Sequence, residues 1–343
     1  MRRMCIIRFP VYFWALVMAA VIVPQAAKAQ VTYNASAGAE TKNEAVQADG
    51  FFPNELWILE GDSIKWTFVP KNEIHTVTLL TPGQVRPLAP PPAGPPFSVQ
   101  GVNCGPAPDF NGSACVSTPI GLSGGATFTV TFPKGSAGNY RFVCLVHTDM
   151  NGTLHVLANT AANAARLHSQ RFYDDQARDQ AQDILADRDD QREEVDESGR
   201  NTVIAGTGEI VGTGGGTQYR AGVRFLAGTI RIHKGESVEW VNLDPTEPHT
   251  VTFGTEPANF VPTMPVDLGK PEADGTLTGT INSASDFLNS GFIQTQAPDR
   301  TGSPQLPPGT TRIRITFPKA GTYQYHCALH DVDGMLGTVV VLP

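Results

Sequence analysis

Two stretches of the chain alternate apolar and polar residues with period two. Phe128, Val130 and Phe132 alternate with Thr127, Thr129 and Thr131; Ile313, Ile315 and Phe317 alternate with Arg312, Arg314 and Thr316. That period, carried by β-branched and aromatic residues, predicts strands with one buried face. Pro133-Lys134-Gly135 and Pro318-Lys319-Ala320-Gly321 end both strands in turns. Thr153 to Val156 and Thr338 to Leu342 supply a closing strand after each. Between 160 and 200 the period changes. Tyr173, Ala177, Ile184 and Leu185 fall near helical spacing and predict one or two amphipathic helices. With 11 Asp/Glu and 6 Arg across that stretch, a solvated helical spacer is preferred to a partner-binding helix.

The alternating blocks belong to a longer internal repeat. GDSIKWTFVPKNEIHTVT at 61–78 matches GESVEWVNLDPTEPHTVT at 235–252, and Trp66 and Trp240 each stand nine positions before a His. FTVTFPKGSAGNYRFVCLVH at 128–147 matches IRITFPKAGTYQYHCALH at 313–330. Two blocks recurring in the same order mark a duplicated unit. Strands without helical periodicity predict an all-β fold of two β-sandwiches, at 30–158 and 201–343, joined by a charged helical linker at 159–200. Residues 82–97 hold seven prolines and read as a stiff extended loop, and 257–310 is a long insertion in the second copy.

Composition narrows the class. Gly 34 and Pro 27 in 343 residues exceed the usual share and disfavour a helical bundle. The first 29 residues read as an export signal. Arg2, Arg3 and Arg8 precede an apolar run from Val11 to Val23, and Ala27-Lys28-Ala29 offers a small-x-small cleavage site. The run is short for a membrane span, so a soluble periplasmic or secreted protein is expected, with no membrane contact after cleavage. Removing four basic residues and no acid makes the net charge of −8 still more negative. An acidic surface excludes nucleic acid as a partner and suits a basic one.

The chemistry sits at the end of each copy. Cys144-x2-His147-x2-Met150 follows His75 in the first, and Cys327-x2-His330-x4-Met335 follows His249 in the second. One thiolate, two imidazoles and one thioether are the donor set of a blue-copper centre, a His2Cys plane with a weak axial Met. Any one of these residues alone would be an ordinary core or polar residue; their conjunction, twice and in one order, points to metal. A single thiolate with a thioether fits structural zinc poorly. Cys104 and Cys115 remain, close in sequence, and are expected to pair as a disulfide in an oxidising compartment.

On these motifs both copies resemble cupredoxins of the plastocyanin, amicyanin and azurin group. The loop at 327–335 resembles that of plastocyanin and the loop at 144–150 that of amicyanin. The resemblance covers most of 45–157 and 218–343. It implies Greek-key sandwiches, one type-1 copper per copy, and single-electron transfer to redox partner proteins. By position it implies His75, Cys144, His147 and Met150 as one ligand set and His249, Cys327, His330 and Met335 as the other. It also implies that His147 and His330, with a partly exposed ring edge, are the electron ports. The family commonly has Asn after the first His; Thr76 and Thr250 stand there instead. The two loop lengths predict centres of different potential.

Two-domain copper oxidases and nitrite reductases are the alternative class. They need a second copper site rich in His, and this chain has 8 His with no His-x-His pair, although His326 directly precedes Cys327. No catalytic activity of its own is therefore expected. Copper storage or delivery is a further alternative, disfavoured by only 6 Met.

Overall fold

The computed structural model describes residues 29–86, 104–119, 122–186, 199–300 and 305–343. Residues 1–28 of the export signal expected at 1–29, and most of the proline-rich stretch, lie outside them. The fold is all-β apart from two helices. The first copy contributes β1 (Thr32–Glu40), β2 (Val46–Phe52), β3 (Glu55–Leu59), β4 (Ser63–Phe68), β5 (Thr78–Leu79), β6 (Val116–Ser117), β7 (Thr127–Thr131), β8 (Gly138–Val143) and β9 (Asn151–Leu157). Helices α1 (Ala161–Ala164) and α2 (Gln170–Ala186) follow. The second copy begins with β10 (Thr202–Thr213), β11 (Gly216–Leu226), β12 (Thr229–His233), β13 (Ser237–Leu243), β14 (Thr252–Phe253) and β15 (Pro265–Val266). It continues with β16 (Thr276–Thr280), β17 (Leu288–Ser290), β18 (Arg312–Thr316), β19 (Gly321–His326) and β20 (Leu336–Leu342).

Each copy has its own core between two sheets. In the first, Ile64 and Trp66 of β4 are buried with Leu56, Phe142 and Leu154 of the five-stranded sheet β3-β9-β8-β5-β6. In the second, Val238 and Trp240 of β13 are buried with Tyr325 and Val339 of the six-stranded sheet β12-β20-β19-β14-β17-β15. The alternating strands β7 and β18 flank β4 and β13, and Val130 and Ile313 point into the cores. The repeated Trp stacks edge-on against the strand that leads to the repeated Cys: Trp240 and Tyr325 have ring centroids 5.2 Å apart.

The remaining nine strands form one sheet, in order β16-β18-β13-β10-β11-β2-β1-β4-β7. The two copies are thus joined edge to edge. β2 and β11 pair antiparallel, with Asp49 opposite Tyr219, Ala48 opposite Arg220 and Gln47 opposite Ala221. No periodic signal marks this pairing in the sequence, because β2 is buried at every position and shows no alternation.

The linker also differs from the spacer expected. α2 lies on β1 and β2, where Ile184 joins Ala48 and Phe52 in a small cluster. Tyr173 of α2 is buried in the first core, and its hydroxyl accepts from the Trp57 N–H and donates to the Trp57 carbonyl, both at 3.0 Å. Apolar residues at helical spacing need a surface to cover, and the outer face of the shared sheet supplies it.

Candidate metal centres

In both copies the strand ladder delivers the Cys and the Met to one loop. Cys144 follows the last residue of β8, and its N–H donates to the carbonyl of Met150, which precedes β9 (2.9 Å). Cys327 follows β19 and donates to Met335, which precedes β20 (3.1 Å). Both methionines are fully buried. The first His comes from elsewhere: His75 bridges to Leu122 and His249 to Ile293, each through its backbone N–H.

These loops bring three side chains of each copy together. His75 Nδ1 lies 3.0 Å from His147 Nδ1, and Cys144 Sγ lies 3.6 Å from the latter. In the second copy His249 Nδ1 lies 3.2 Å from His330 Nδ1, with Cys327 Sγ 3.9 and 3.5 Å from the two rings. Each trio converges within 4.8 Å and all six residues are buried. Two nitrogens each about 2.0 Å from one ion sit roughly 3 Å apart, so both trios fit a single ion held through Nδ1, Nδ1 and Sγ. Burial pushes the Cys144 and Cys327 thiols up, but the imidazolium charges of His147 and His330 override it and hold both well below the usual thiol range. Metal-binding thiolate is the favoured form.

The Thr that follows the first His ties the two loops. The Thr76 N–H donates to Cys144 Sγ (3.4 Å), while its hydroxyl accepts from the Leu145 N–H (2.7 Å). Thr250 does the same for Cys327 Sγ (3.3 Å) and the Ala328 N–H (2.7 Å). At both sites a threonine hydroxyl therefore links the first His to the Cys loop. Behind the first His stands a glycine in the left-handed region, Gly38 (φ +73) or Gly206 (φ +84), at a bulge in β1 or β10. A Cβ at either would press into the Nε2 of His75 or His249.

The two trios face each other across the joint between the copies. His147 is 7% and His330 5% exposed, so neither ring edge is an open port as expected. The second copy's domain covers the first copy's ring, and the converse. His147 Nε2 meets Glu73 Oε1 at 3.0 Å and Glu247 Oε1 at 3.3 Å. His330 Nε2 meets Glu247 Oε2 at 3.5 Å and Glu73 Oε2 at 4.0 Å. Asn72 Nδ2 donates to Asp333 Oδ1 (2.9 Å) across the same joint. Burial raises Glu73, but its hydrogen bond to His147 and the charge of that ring bring it down to about 2. Glu247 is pushed up to about 8, by burial and then by the charge of Glu73. Two like charges this close do not both ionise freely. A cleft of about 420 Å³ opens over the four side chains, walled by Val146, Phe260, Pro262 and Leu329.

Comparison with known proteins bears on the second copy. Residues 216–342 match the copper binding proteins, plastocyanin/azurin family. No curated protein matches the chain. Among solved structures it is similar to the "blue" copper protein auracyanin A of Chloroflexus aurantiacus, at 20% identity over 37% of this chain and 99% of that one, TM-score 0.24. It is similar also to plastocyanin of Dryopteris crassirhizoma, at 19% identity over 41% of this chain and 99% of that one, TM-score 0.22. A purple cupredoxin of Nitrosopumilus maritimus shares 20% identity over 41% and 98% of the two chains, TM-score 0.19.

Cys104 and Cys115 form a disulfide. His326 Nε2 donates to the Glu256 carboxylate (2.9 Å), and His155 stacks on Trp57 beside Glu55. Among the described residues, neither joins a group of three metal-binding side chains. No helix among them is long and apolar enough to cross a membrane. Glu73 and Glu247 were not anticipated as site residues. They share one signal, a carboxylate two positions before the first His in each copy, NEIH and TEPH.

Proposed function

We propose that the chain is an exported blue-copper protein with one type-1 copper in each of two cupredoxin domains, at 30–158 and 201–343, carrying single electrons between redox partner proteins. His75, Cys144, His147 and Met150 would hold one ion, and His249, Cys327, His330 and Met335 the other. The observation that carries this reading is the doubling: the same buried His–Cys–His trio, closed by a buried Met on the Cys loop, occurs at both ends of one shared joint. Copper bound there would supply one-electron chemistry, since Cu(I) favours sulfur while Cu(II) accepts imidazole nitrogen. The protein's own part is rigidity. Each Thr ties the Cys loop to the His strand, and burial excludes water, so donors held in place favour neither oxidation state by rearranging.

The test is copper stoichiometry with the visible spectrum of the copper-loaded chain, beside Cys144→Ser and Cys327→Ser. Two coppers per chain and an intense thiolate band that falls stepwise with each substitution are expected. A band untouched by Cys144→Ser would remove the first centre. Further copper without colour would restore the enzyme reading.

A further inference from the structure

We propose that Glu73 and Glu247 are shared positioning residues, Glu247 facing the ligand imidazole of both copies and Glu73 holding that of its own copy while acting on the other through charge, so that each sets the reduction potential of the centre across the joint as well as its own. The inference rests on the copper reading above and extends it from two independent centres to one coupled pair.

Both rings turn Nδ1 toward their own Cys and leave Nε2 for the joint. A metal-bound imidazole whose second nitrogen faces a carboxylate is oriented and made more basic by it, and loss of such a partner changes metal affinity by roughly 10–100-fold. Here the partner is not private. Glu247 lies nearer to His147 of the other copy (3.3 Å) than to His330 of its own (3.5 Å). Glu73 reaches its own His147 at 3.0 Å and touches His330 only electrostatically, at 4.0 Å. Water does little to screen these charges, since Glu73 and Glu247 side chains are 11% and 8% exposed. In the metal-free chain burial and Glu73 push Glu247 toward its neutral form, but with both Nδ1 atoms given to metal both Nε2 atoms carry protons, and each faces one oxygen of Glu247, which then accepts from both as a carboxylate. A negative charge so placed between both rings favours the more positive oxidation state at both centres. The loop lengths add to the asymmetry. The two extra residues of the second loop carry Asp333 to Asn72, which adjoins Glu73, so the second copy also braces the first copy's carboxylate.

The measurement is the reduction potential of one centre while a substitution is made in the other copy. In a Cys327→Ser chain, where only the first centre is blue, adding Glu247→Gln is expected to move the first centre's potential upward, favouring Cu(I) by about tenfold, or ~59 mV for one electron. Glu73→Gln in a Cys144→Ser chain is expected to raise the second centre's potential by less, because that contact is longer. Glu247→Asp keeps the charge and should recover most of the shift; a role in shape alone would leave the isosteric Gln variant unshifted and move the shorter Asp variant. An unmoved first centre in the Glu247→Gln chain, with two coppers still bound when both Cys are present, overturns the coupling and leaves the copper reading intact. Absence of any blue band in the unsubstituted chain would instead remove the copper reading.

Discussion

Thr76 and Thr250 show how a small residue can organise a buried thiol. Each offers its backbone N–H to the sulfur and its hydroxyl to the residue after the Cys, so both loops are pinned by one side chain. Thr250→Val keeps the shape and removes the acceptor, leaving the Ala328 N–H unpaired. A loss of about 1–3 kcal/mol is expected in denaturant unfolding of the metal-free chain, with a changed blue band on loading. Gly206 is constrained twice, by its φ and by the ring of His249. Gly206→Ala should cost about 1–3 kcal/mol and weaken copper at the second site selectively, leaving the first site's band in place. At this scale the sequence was readable wherever chemistry is carried by residue type. Spacing singled out His and Cys residues that the structure gathers into two trios. It did not single out Glu73 and Glu247, because a carboxylate near a His is common and only the meeting of two loops gives these two a partner.

The elements were legible in proportion to how one-sided their burial is. β7 and β18 have one wet face, so they alternate and were found; β2 is covered on both sides and gave no period. α2 was found from its spacing, yet its destination was not, since an apolar stripe specifies a width and leaves the covered surface open. Its docking has a measurable worth. Ile184 is 4% exposed against Ala48 and Phe52, and Ile184→Ala should cost about 2–5 kcal/mol, read as a lowered denaturation midpoint and as proteolysis within 159–200. Were α2 a solvated spacer, that substitution would be nearly silent.

At the scale of the whole molecule, the nine-stranded sheet makes two cores answer to one backbone ladder. Length and repeat implied two sandwiches; that they share a sheet is a property of edges, and edge strands carry no label in sequence. Calorimetry should show the copies unfolding in one cooperative transition. Ala221→Pro, at a position of β11 flanked by β10 and β2, removes a ladder N–H and should cost about 3 kcal/mol or more. If the joint carries the cooperativity, the variant will melt in two steps, the second copy first. Two resolved transitions in the unsubstituted chain would contradict this.

The β2–β11 pairing decides what each copy would do alone. Each strand is the open rim of its own copy, and each rim is closed by the other. A gene holding one copy alone would encode a protein with a bare rim, and the partner best shaped to close that rim is a second molecule of itself. Such a product would self-associate in solution, placing two identical metal loops ring to ring. The duplicated chain thus holds in one molecule what a single copy would have to assemble from two, with His–Met spans that differ by two residues and an Asp333 in only one of them.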